Sequence, residues 1–139
     1  MSTVGEPRWP LPESPHLVAE LSVRIPGGPG APAEARDALR RFHPELAPEL
    51  MQIVALLASE LVSNAVRHAR AEWVDLCFGV APLHVRVEVA DNGRGFGGLP
   101  PPPQPGRAGG WGLYIVEKLA SRWGVMEGGG TRVWFEIDR

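Results

Sequence analysis

The sequence predicts an α+β fold, a two-layer sandwich in which helices cover one face of a mixed, mainly antiparallel sheet. Three observations carry this. Segments with alternating apolar residues fall in neighbouring pairs joined by short links, as antiparallel hairpins require. Two segments with helical spacing follow the first strand, and a third lies between the two hairpins. Strict strand–helix alternation, the mark of a doubly wound fold, is absent.

The elements follow in order. Residues 1–17 hold Pro7, Pro10, Pro12 and Pro15 with few apolar partners, which predicts a flexible tail ahead of one domain over 18–139. From 19 to 25, Leu21, Val23 and Ile25 alternate with Glu20, Ser22 and Arg24, a strand with one buried side. A Gly/Pro loop over 26–32 leads into a helix over 33–42, with Ala35, Ala38, Leu39 and Phe42 inward and Arg40 and Arg41 outward. His43–Pro44 ends it, because the residue before a proline disfavours the helical region.

Pro48 suits the first turn of the next helix. Leu50, Ile53, Val54, Leu57, Leu61 and Ala65 carry its apolar face to about residue 69. Strands over 72–80 and 83–90 form a hairpin around Ala81–Pro82, with Leu83, Val85, Val87 and Val89 inward and His84, Arg86 and Glu88 outward. Residues 97–109 hold five prolines and no periodicity, so they form a loop stiffened by polyproline geometry. A helix opens at Gly110-Trp111-Gly112 and runs through Leu113, Ile115, Val116 and Leu119. A terminal hairpin begins near Gly124, turns at Gly128-Gly129-Gly130 and returns from Thr131 to Ile137.

Composition narrows the function. The chain has 139 residues, 44% apolar and 22% charged, with a net charge of -2. That is enough for one domain with a core, and it lacks the basic footprint of a nucleic-acid binder. The single cysteine, Cys77, excludes an internal disulfide and a cysteine-based zinc site, and is expected as a small hydrophobe in a buried strand. No signal pattern opens the chain and no apolar run approaches bilayer length, so the expected location is the cytoplasm.

Three polar clusters interrupt this ordinary pattern. The first lies on the long helix, ELVSNAVRH, where Glu60, Asn64 and His68 stack at four-residue spacing beside Arg67. A carboxylate there can act as a base and an amide oxygen suits Mg²⁺, yet a solvated helix face is the commoner cause of such a stripe. The second is Asp91-Asn92-Gly93-Arg94-Gly95, either a simple turn or a carboxylate facing an amine beside glycines that admit a flat base. The third is Gly109-Gly110-Trp111-Gly112 at a helix start, either a loop exit or an anion site made by free N–H groups. Neither a Walker A motif nor a dinucleotide fingerprint is present.

Their order and spacing resemble the GHKL ATPases, whose nucleotide-binding fold is the Bergerat fold, over about residues 21–137. ELVSNAVRH is similar to the family's N box, ADNGRGF to its G1 box, GGWGLYIV to its G2 box and GGGTRVWFEI to its last strand. Within the family, SELVSNAVRHA most resembles the anti-sigma-factor serine/threonine kinases, especially small actinobacterial regulators. The resemblance implies ATP and Mg²⁺ as cofactors. It implies Asn64 as the metal ligand, Asp91 on the adenine amino group, and Gly93 and Gly95 shaping the base pocket. It implies Gly110, Gly112 and Leu113 at the phosphates, Thr131 near the adenine, Arg67 and Arg107 as phosphate contacts, and Glu60 as general base. Glutamate at position 60 fits a serine or water acceptor better than a histidine.

The function so implied is phosphorylation of a STAS-like anti-sigma-factor antagonist by a protein that also binds a sigma factor, without contact to nucleic acid or membrane. A chain of this size is also suited to an isologous homodimer. Two alternatives stand beside it: a nucleotide-binding regulatory module with little turnover, motivated by the stiff lid, and a stand-alone histidine-kinase-like ATPase.

Overall fold

The computed structural model describes residues 19–42, 45–67, 70–93, 112–127 and 130–139. Five strands and three helices occur in the order β1 (Ala19–Pro26), α1 (Ala31–Arg41), α2 (Pro48–Arg67), β2 (Trp73–Val80), β3 (His84–Asp91), α3 (Gly112–Leu119), β4 (Arg122–Glu127) and β5 (Thr131–Asp138). The strands form one sheet in the order β1-β2-β3-β5-β4, and every pairing is antiparallel. The expected sandwich is therefore present. The 1–17 tail, the proline-rich loop and His68 lie outside the described residues.

Strand alternation sorts the sheet into two unlike faces. Ile25, Val74, Leu76, Phe78, Val85, Val87, Val133 and Phe135 face the helices and are buried with Leu39 of α1, Leu57 and Leu61 of α2, and Val116 of α3. Each such side chain contributes roughly 1.5–3 kcal/mol by leaving water. Phe42 meets Phe78 edge-on, with ring centroids 5.7 Å apart. Helix α1 starts with Pro32 in its first turn and carries Arg40 and Arg41 in its last, both placements that suit the helix ends.

Helix α2 lies between α1 and α3 and spans the core. Contrary to expectation, its 20 residues are long and apolar enough to cross a membrane by length and composition. The apolar content answers to the interior instead: Val54, Leu57, Ala58, Leu61, Val62 and Ala65 are buried against sheet and neighbouring helices.

Three details depart from the sequence reading. Leu83, expected inward, is 75% exposed. The turn occupies 81–83, closed by the Ala81 N–H donating to the His84 carbonyl (2.9 Å), so β3 starts one residue later. Cys77, expected in the interior, is half-buried on the helix-free face, where its Sγ lies 3.6 Å from Ser22 Oγ. Arg86 and Glu88 point away from the helices as expected, yet both are buried. Arg86 Nη1 donates to Glu136 (2.9 Å) while its guanidinium stacks over Trp134, and Arg132 donates to Glu88 (3.1 Å). Charge pairing and an aromatic cover allow this polar face to be dry at its centre.

Candidate nucleotide site

The candidate site gathers at one end of the sheet. Asp91 closes β3 and is paired with Val74 of β2 and with Thr131, the first residue of β5. By alternation it shares the helix-side face with Val85, Val87 and Val89. It is buried, and its Oδ1 accepts the Gly93 N–H at 2.7 Å. Burial pushes its carboxyl above the usual aspartate range, against the opposing pull of N–H groups from Gly93 and Thr131. A carboxylate held dry with only backbone partners keeps acceptor capacity for a ligand amine.

Thr131 is 1% exposed, and its Oγ1 has no hydrogen-bond partner among the described residues. Gly130 makes the approach of β5 to β3 possible. Its φ is +128°, and a Cβ there would sit 2.0 Å from the Asp91 carbonyl oxygen.

Helix α2 is tied to the same end. The Ala71 N–H donates to the Ala65 carbonyl, and the Gly27 N–H donates to the Glu72 carbonyl at 2.8 Å, locking the exit of β1 against the α2–β2 link. A Cβ at Gly27 would lie 2.1 Å from the Ala71 oxygen, so this contact also needs glycine. The C-terminal half of α2 therefore lies over the sheet end that carries Asp91. There Asn64 is 3% exposed and its Oδ1 has no partner among the described residues. Leaving a buried amide oxygen unsatisfied costs about 1–3 kcal/mol, a cost that ligand binding can recover. Glu60 stands one turn earlier, partly exposed on the same side.

Helix α3 begins at Gly112, the one glycine of the Gly109-Gly110-Trp111-Gly112 cluster among the described residues. Its C-terminus is fastened at the far end of β5, where the Ser121 N–H donates to the Glu136 carbonyl and the Asp138 N–H to Ser121 Oγ. Trp123 Nε1 adds a bond to Glu117 (2.8 Å). The helix runs eight residues, about 12 Å, from Gly112 to this anchor. Gly95, Arg107 and Gly110 lie outside the described residues.

Arg67 is placed differently. It is exposed at the end of α2 and lines a cleft of about 340 Å³ with Gly28, Pro29, Pro32, Ser63 and Val66. This cleft opens on the α1 flank of α2, whereas Asp91 and Thr131 lie toward α3.

Sequence reasoning missed one positioning residue. Asn92 Oδ1 accepts the N–H groups of Glu72 (3.0 Å) and Trp73 (3.4 Å), and its Nδ2 donates to Glu72 Oε1 (3.3 Å). It thereby clamps the start of β2 beside Asp91. The Asp-Asn-Gly string gave Asn92 no role beyond the turn, because a partner twenty residues away leaves no local trace.

The donor set fits a nucleotide with a hard cation. Asp91 offers a dry carboxylate beside Thr131, and Asn64 Oδ1 and Thr131 Oγ1 are buried oxygens without partners among the described residues. Among the described residues no group of three or more His, Cys, Asp or Glu could hold a metal alone.

Comparison with known proteins agrees. Residues 25–137 match the family model described as histidine kinase-like ATPase domain. The serine-protein kinase RsbW of Oceanobacillus iheyensis is similar at 28% identity, covering 56% of this chain and 63% of that protein. The chain thus spans less than two thirds of that relative's length. Among solved structures, the RsbU and RsbW domains of Rv1364c from Mycobacterium tuberculosis superpose with a TM-score of 0.66 at 23% identity, covering 86% of this chain and 31% of that one. The blue-light activated histidine kinase EL346 of Erythrobacter litoralis superposes at 0.54 with 26% identity, covering 81% of this chain and 45% of that one.

Proposed function

Because the chain belongs to the histidine kinase-like ATPase domain family, we propose that it binds Mg-ATP and phosphorylates a serine or threonine of an anti-sigma-factor antagonist. The observation that carries this reading is Glu60 standing one helical turn before Asn64, whose buried oxygen has no partner among the described residues. A base and a hard ligand side by side suit transfer to a hydroxyl. The RsbW relative, named a serine-protein kinase, supports the same acceptor.

In this reading Asp91 accepts a hydrogen bond from the adenine amino group. Thr131 lies beside it, and Gly93 and Gly95 give the base room. Gly110, Gly112 and Leu113 hold phosphate oxygens at the start of α3, with Arg107 as a further contact. Asn64 offers its Oδ1 to Mg²⁺, which when bound neutralises phosphate charge and so favours transfer. Glu60 orients the acceptor hydroxyl and takes its proton on a carboxylate oxygen. The partners implied are a STAS-like antagonist and a sigma factor, in the cytoplasm.

A second reading, a nucleotide-controlled binding module with little turnover, draws on the proline run at 100–103, since a stiff lid slows the closure that completes such a site. Labelled γ-phosphate separates the two. The kinase places label on serine or threonine of an antagonist domain, and the module binds the domain without label. Label on histidine, or only free phosphate, would instead mark a detached histidine-kinase catalytic piece or a plain ATPase. Glu60→Gln should keep Mg-ATP binding by calorimetry and lose transfer by about 10²–10⁴-fold. Equal turnover in both proteins rejects the base role.

A further inference from the structure

We propose that the cleft between the β1–α1 turn and α2 receives the acceptor segment, and that Arg67 there pairs with an acidic residue flanking the phosphorylated serine or threonine. The proposal rests on the kinase reading above and reassigns Arg67 from nucleotide to acceptor.

Position is the first argument. Glu60, Ser63 and Arg67 lie at offsets 0, 3 and 7 along α2, on one stripe where Glu60 and Ser63 are half-buried and Arg67 is exposed. Seven residues of helix separate Glu60 from Arg67 by about 10 Å along the axis. An extended peptide advances roughly 3.3 Å per residue, so about three residues bridge that distance. A hydroxyl at Glu60 and a carboxylate at Arg67 would thus belong to one short segment. The nucleotide wall made by Asp91 and Thr131 stands on the other flank of α2.

Lining chemistry is the second argument. Pro29, Pro32 and Val66 give apolar walls, and Ser63 gives a hydroxyl. Among the described residues Arg67 has no hydrogen-bond or ion-pair partner, and none of those lining the cleft is acidic. A Cβ at Gly28 meets nothing within 4 Å, so the mouth is open. The volume of about 340 Å³ is at the small end of ligand sites, which run from roughly 300 to 1,000 Å³. Such a space suits a few side chains of an acidic, otherwise apolar peptide.

The test uses the whole chain, an excess of a non-hydrolysable Mg-ATP analogue, and two fluorescein-labelled serine peptides identical except for Asp or Lys three residues from the serine. Fluorescence anisotropy should show the Asp peptide binding about tenfold tighter, an attraction gained plus a repulsion avoided. Arg67→Glu should invert the preference and Ser63→Asp should abolish it, while calorimetric ATP affinity stays within about twofold. Equal binding of both peptides, binding of neither, or a large loss of ATP affinity in Arg67→Ala overturns the proposal. Failure of the kinase reading shows separately, as no label on any antagonist domain from protein that still binds ATP.

Discussion

At the scale of single residues, Asp91 shows how burial divides stability from binding. Its carboxyl is pushed up by burial, so the folded state holds a proton more tightly than the unfolded chain. The stability it contributes is therefore fully present below the unfolded value and is lost as pH rises through the folded one. At neutral pH the ionised group is a net cost to folding. Asp91→Asn should leave the thermal midpoint unchanged or raised, while ATP binding weakens about 10–150-fold through loss of a charge-assisted bond of roughly 1.5–3 kcal/mol. Calorimetry together with thermal melts checks both halves, and unchanged affinity rejects the adenine assignment. Wild-type ATP affinity should also fall on acidification, through a pH above the usual aspartate value. The sequence singles out Asp91, Asn64 and Thr131 through the resemblance of their motifs, and the fold buries all three. The clamp by Asn92 and the approach of Gly130 to Asp91 were not legible there, because both depend on chain segments distant in sequence.

At the scale of elements, the helix-free face of the sheet carries its own stability. Glu136 on β5 is desolvated, which alone would raise its carboxyl, but bonds from Arg122 (2.9 Å) and Arg86 (2.9 Å) outweigh burial and hold it below the usual range. A depressed carboxyl stabilises above its unfolded value, and that stability is lost as pH falls through the folded one. Glu136→Gln should cost about 2–3 kcal/mol near pH 7, since buried Arg86 loses a charged partner. Melts across pH should show the deficit shrinking below the ordinary carboxylate range, and a deficit independent of pH would argue against ion pairing. The sequence pattern correctly turned Arg86 and Glu88 away from the helices. It did not reveal their burial, which Trp134 and the cross-strand partners produce.

Across the whole molecule, α2 does two jobs. One side fills the core between the sheet and the flanking helices, and the other presents Glu60, Asn64, Ser63 and Arg67 to two flanks. In the function proposed above, Asp91 and Thr131 take the nucleotide and the cleft beside α1 takes the acceptor, so ATP and acceptor would reach Glu60 from opposite sides. The proline-rich loop at 97–109, expected as the lid, lies outside the described residues. Replacing Pro100 to Pro103 with Gly/Ser should change the nucleotide dissociation rate measured by stopped flow. An identical rate in both proteins refutes the stiff-lid expectation.

The sequence alone determined the α+β class, every element to within a few residues, and the order of the three polar clusters. Hydrophobic periodicity and turn chemistry are local, so they can be read without a structure. Tertiary structure decided which polar residues are dry. Asn64 and Thr131 have buried oxygens without partners among the described residues and Asp91 a raised carboxyl, while Arg67 faces an open cleft instead. Burial and partner geometry arise only when β3 meets β5 and α2 settles over them. Helical spacing along α2 therefore cannot distinguish a buried polar residue such as Asn64 from an exposed one such as Arg67.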